Sequence, residues 1–110
     1  MMKFPMSVAA AGLLRSMLAR AGDDQDRILL IESQSTEWQS LTFVGERHQM
    51  SLRIIGPGAN EIVERLTTGL GEAEFSIPGQ IVADIELGGP PWHEIDGSMT
   101  IDLEALTIAE

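Results

Sequence analysis

At 110 residues, 44% hydrophobic and 22% charged, the chain has the composition of an ordinary soluble globular protein, long enough for one domain and one core. A formal charge of −10, from 17 acidic against 7 basic residues with no two basic residues adjacent, excludes non-specific nucleic-acid binding and docking on anionic membranes. A basic protein partner or a bound cation stays open. The absence of cysteine removes disulfides, thiolate metal sites and cysteine nucleophiles, and fits a reducing compartment.

The first segment, MMKFPMSVAAAGLLRSMLARAGDD, has two readings. Lys3, the apolar run from Phe4 to Leu14 and the Ala19-Arg20-Ala21 triplet imitate an export signal removed after residue 21. Pro5, Ser7 and Gly12 interrupt that run, however, and Arg15 and Arg20 charge the region where cleavage occurs. As a helix over about residues 7–21, the same stretch sets Ala10, Leu14, Met17, Leu18 and Ala21 on one face, opposite Ser16 and Arg20. The uncharged run is far too short to span a bilayer. The helical reading, with a cytoplasmic location, is the expectation, and export is its alternative.

After the acidic turn Gly22-Asp23-Asp24-Gln25-Asp26 the period changes. Ile28, Leu29, Leu30 and Ile31, running on into ESQS, read as a buried strand. Leu41 and Phe43 alternate with Thr42 as a second strand. Gly45-Glu-Arg-His48 reads as a turn, and Met50, Leu52 and Ile54 alternate as a third strand. GPGANEIVERLTTGLG carries the clearest helical stripe: Ala59, Ile62, Val63, Leu66 and Leu70. Pro57 suits its first turn, Gly71 its end, and Glu61 with Arg65 an exposed i, i+4 pair. In EFSIPGQIVADIEL the residues Phe75, Ile77, Ile81, Ala83, Ile85 and Leu87 occupy alternate places. In SMTIDLEALTI, Met99, Ile101 and Leu103 do the same. The sum is an α+β two-layer sandwich, a mostly antiparallel five-stranded sheet with two helices on one face, in the order α-β-β-β-α-β-β.

The stretch GGPPWHEIDG, residues 88–97, holds the densest set of functional side chains. Zinc needs convergent ligands, and His93, Glu94 and Asp96 lack a second histidine unless His48 comes to the same end of the sheet. Otherwise the loop is a hairpin connection with Trp92 folded over the sheet edge. Asp23, Asp24 and Asp26 lack the glycine and distal glutamate of a calcium loop. GPG before the second helix lacks a phosphate-binding pattern. No metal and no cofactor is expected.

A symmetric hairpin over residues 75–108 sets Leu87 against Met99, Ile85 against Ile101 and Ala83 against Leu103 on the core face. Asp84 then opposes Asp102 on the reverse face, an unfavourable pairing that water together with Arg53 relieves, with a bound cation as the alternative. Ile28 and Leu30, or else Leu29 and Ile31, join Val44, Ile55 and Val82 on that face, with Leu106 and Ile108 if the last strand continues without a bulge. A face so mixed calls for cover, by a second copy or by another protein. The expectation is a non-enzymatic homodimeric binding or assembly module, with Trp92, Arg53, Asp84 and Asp102 as candidate binding residues. The alternative is a small enzyme or ligand-binding protein using His48 or His93 beside a carboxylate such as Glu94.

Overall fold

A computed structural model describes residues 6–110. Helix α1, Val8–Arg20, begins where the Ser7 hydroxyl accepts the Ala10 N–H at 3.1 Å. It turns Ala9, Ala10, Leu13 and Met17 fully inward, so the buried face lies slightly rotated from the expected stripe, with Leu14 and Leu18 at its margin. Gly12 is required by packing, because a Cβ there would come within 2.6 Å of Ile77 Cγ2. Lys3, Phe4 and Pro5 of the signal-like run lie outside the described residues. Leu13, Met17 and Ala21 belong to the core, so cleavage after Ala21 would strip a helix from it. No helix among the described residues is long and apolar enough to cross a membrane.

Helix α2, Ala59–Thr67, presents Ala59, Ile62, Val63 and Leu66 to the same core. Its start differs from the expected one: Gly58, left-handed at φ 76°, is the cap, and Pro57 precedes it. Gly69 rather than Gly71 is the left-handed residue beyond the end. The two helices cap each other. Arg20 of α1 donates to Leu66 O at 3.0 Å and to Thr68 O, while Arg65 of α2 donates to Ala21 O at 2.9 Å. Each guanidinium satisfies carbonyls that a helix end leaves unpaired. Arg65 also pairs with Asp24 rather than with Glu61, so the acidic turn is held in place and is not merely a solvated connector.

The sheet has five strands, all antiparallel: β1 Ile28–Gln39, β2 Val44–Ile54, β3 Gln80–Leu87, β4 Trp92–His93 and β5 Met99–Ala109. They lie in the order β1-β2-β5-β3, with β4 pairing the start of β5. The class and layering match the expectation, but the element order is α-β-β-α-β-β-β. Leu41 and Phe43 are not a strand. They sit in the turn between β1 and β2, closed by the Ser40 N–H donating to Phe43 O at 2.8 Å. Conversely, Gly45 to His48, expected as a turn, continues β2, and β4 supplies the fifth strand. Phe75 and Ile77 pack against the core ahead of β3, from a turn in which Gly79 has φ 76°.

β3 and β5 do form the expected ribbon, in another register. Leu87 opposes Leu103, not Met99, and Ile85 opposes Ala105, not Ile101. The slip is an even number of residues, so the core side chains keep their face. A bulge at Ala83 then reverses the parity of the first part of β3. Val82 consequently packs on the core and Ile81 points to solvent, the opposite of the sequence expectation. Asp84 faces Leu106, Asp102 faces Ser51 of β2, and the like charges placed directly opposite within this ribbon are Glu86 and Glu104. Both are exposed. Glu86→Lys is expected to raise the unfolding free energy by roughly 0.5 kcal/mol, read as a higher urea midpoint at unchanged slope.

Candidate functional site

His48 continues the inward alternation of Met50, Leu52 and Ile54 along β2 and is 2% exposed. Its neighbours across the sheet are Ser35 on β1 and Ala105 on β5, with Thr107 diagonal to it. Nδ1 lies 2.7 Å from Ser35 Oγ and Nε2 lies 2.8 Å from Thr107 Oγ1. Thr107 is wholly buried, and His48 is the only side-chain partner of its hydroxyl among the described residues. The threonine proton therefore goes to Nε2, which assigns the other ring proton to Nδ1, donating to Ser35. Both nitrogens of a neutral imidazole are satisfied. Burial holds the His48 pKa below its usual value, opposed in part by the Glu46 carboxylate. The space beside the ring, lined by Leu13, Met17, Met50, Ile85, Leu103 and Ala105, is about 10 Å³, room for nothing larger than a water.

His93 lies elsewhere. It opposes Met99 on β5 whereas His48 opposes Ala105, a separation along the strand of roughly 20 Å. The two histidines share no cavity, and the convergent pair that a zinc reading needs does not form. His93 is exposed, beside a shallow groove that also includes Gly58, Asn60 and Asp96.

The carboxylates of GGPPWHEIDG are spent on the turn itself. Glu94 Oε1 accepts from the Trp92 indole at 2.6 Å and from the Thr100 hydroxyl at 3.0 Å. Asp96 Oδ1 accepts the Ser98 N–H at 3.0 Å and the Ser98 hydroxyl at 2.6 Å, and its other oxygen meets Arg53 at 2.6 Å. These contacts, Ser98 first and Arg53 after it, hold the Asp96 carboxyl below its usual pKa. The loop is a stapled β-turn, with the Gly97 N–H donating to Glu94 O at 3.1 Å and the hairpin closed by the Glu94 N–H donating to Ser98 O at 2.8 Å.

Arg53 is therefore committed to Asp96 and Ser98 and does not relieve Asp84 or Asp102, as the sequence had suggested. Asp102 instead accepts from the Ser51 hydroxyl at 2.6 Å. The helix-free face of the sheet carries Glu32, Gln34 and Thr36 from β1, Arg47, Gln49 and Ser51 from β2, Asp102 and Glu104 from β5, and Asp84 and Glu86 from β3. Two shallow concavities of about 290 and 300 Å³ run along this polar middle. Leu29 flanks it at one end, and Trp38, Leu106, Ile108 and Ile81 at the other. Val82 is absent from this face because of the bulge. No group of three or more His, Asp or Glu among the described residues is arranged to hold a metal ion.

No protein-family model matches the chain, and the comparison with curated proteins finds no match to it.

Sequence reasoning missed Ser35, Ser98 and Thr107, the hydroxyls that hold His48 and Arg53. For His48 the signal was present: extending the Met50, Leu52, Ile54 alternation back by two points its ring inward. Reading Gly45 as a turn hid it.

Proposed function

We propose that the chain is a non-enzymatic, homo-oligomeric binding module. The observation that carries this reading is the sheet face opposite the helices, which no segment of the described chain covers although aliphatic and aromatic side chains stand at both its ends. The best candidate base, His48, is sealed and fully hydrogen-bonded, which favours a structural part for it. Glu32, Asp84, Glu86, Asp102 and Glu104 make the middle of the face acidic, and none forms an ion pair among the described residues. Apposing two such faces would bring like charges together, so self-association is directed to an edge, and the face suits a protein segment of basic charge. Sedimentation velocity across the micromolar range tests the reading. A dimer is expected, and a strict monomer throughout contradicts it.

A further inference from the structure

The two edges of the sheet are not equivalent. β3 is short, bulged at Ala83, charged at Asp84 and Glu86, and followed by Gly88-Gly89-Pro90-Pro91, features that discourage pairing with another strand. β1 is long and contains no proline, glycine or lysine, and its one irregularity, the bulge between Leu30 and Glu32, falls near its beginning. From Glu32 to Gln39 it is a regular edge, with Glu32 and Glu37 its only charges and no break in the ladder.

Hydrogen-bond alternation fixes which backbone groups that edge offers. The Ser40 N–H donates to Phe43 O, and the Ile55 N–H to Arg27 O, at the two ends of the β1–β2 ladder. Counting inward from either end, Glu32, Gln34, Thr36 and Trp38 direct their N–H and C=O groups to β2. Those of Ser33, Ser35, Glu37 and Gln39 point outward and are unpaired in the sheet. Any antiparallel partner must engage this second set.

We infer that β1 pairs antiparallel with β1 of a second copy, with Thr36 on the twofold axis, so that one sheet runs through both subunits. This inference rests on the self-association proposed above and names its interface. With Thr36 on the axis, Ser33 exchanges hydrogen bonds with Gln39 of the second copy, and Ser35 with its Glu37, about eight backbone bonds in all. The whole regular stretch is used. Sliding the register so that Glu37 meets its own copy, or Glu32 its own, opposes like charges. Centring on Ser35 leaves Gln39 against the bulge. In the Thr36 register the Ser35 hydroxyl, which accepts from His48 Nδ1, lies opposite the Glu37 carboxylate of the second copy and can donate to it. On the open face Gln34 stands beside Trp38 of the second copy, and Thr36 meets Thr36, a favourable cross-strand pair.

The native chain has no cysteine, so single-cysteine variants report the register directly. Thr36→Cys places two thiols in a non-hydrogen-bonded pair with Cα atoms about 4.5 Å apart, within disulfide range. Mild oxidation should convert most of this variant to a covalent dimer. Gln34→Cys puts its thiols on strand positions roughly 13 Å apart and should stay uncrosslinked. Glu37→Pro removes an N–H that β2 does not use, and should leave a folded monomer. If the native protein sediments as a dimer but Thr36→Cys does not crosslink, or Gln34→Cys crosslinks equally fast, this interface is wrong and self-association uses another surface. If the native protein is monomeric, the interface and the assembly reading fall together.

Discussion

His48→Ala is expected to lower the unfolding free energy by about 3 kcal/mol, measured from urea unfolding curves at neutral pH. Two costs combine. The ring fills space between α1 and the centre of the sheet, beside Met17 and Met50, so its removal leaves a cavity in the core. It also leaves the buried Thr107 hydroxyl without its acceptor. The same residue governs an acid transition. Its folded-state pKa is depressed, so the unfolded chain takes up the proton more readily. The stability it supports is present above the ordinary value of 6.5 and is lost as pH falls from there through the folded-state value. The native protein should therefore weaken as pH falls below about 6.5, before most carboxylates titrate, and His48→Ala should be flatter there. A slope unchanged by the substitution would show that the ring is not held neutral by burial.

Gly45→Ala should cost about 3 kcal/mol, for a reason that lies in the backbone. Gly45 sits opposite Trp38 on β1 and Ile108 on β5, and a Cβ there would lie 2.0 Å from the Thr107 carbonyl oxygen. Neither central strand can accept that atom without moving apart from the other. Because the displaced residue is Thr107, the damage should reach the His48 ring. Combined with Thr107→Val, Gly45→Ala should be less than additive, since both act on one network. Purely additive losses in denaturant unfolding would separate the two.

The longer runs of side-chain period were legible, whereas the short Leu41–Phe43 alternation proved to be part of the β1–β2 turn. α1, α2 and the inward rows Met50-Leu52-Ile54 and Met99-Ile101-Leu103 were legible because alternation and the helical stripe are properties of single segments. What depended on one strand meeting another was not. The β3–β5 register turned on β4 forming inside the Gly88–Gly97 connection, which shortened the turn to residues 94–98 and moved Leu87 from Met99 to Leu103. The bulge at Ala83 has no local signature, yet it exchanged the faces of Ile81 and Val82. Gly45 misled because a glycine in a strand marks a close backbone approach as readily as a turn, and here Thr107 makes that approach. The same errors moved the candidate residues. Arg53 went to Asp96, and His48 from a turn into the core.

The sheet is bare on one side, and its two edges differ: β3 is short and bulged, whereas β1 is long and regular from Glu32 to Gln39. The outward amides of Ser33, Ser35, Glu37 and Gln39 probe it without any substitution. Hydrogen–deuterium exchange, followed residue by residue at concentrations above and below that at which the native protein dissociates, should find these four amides protected in concentrated solution and fast-exchanging in dilute solution, while Gln34 and Thr36 stay slow in both. Rapid exchange of the four at every concentration, in protein that sediments as a dimer, would contradict the assignment of β1 as the edge that joins two copies.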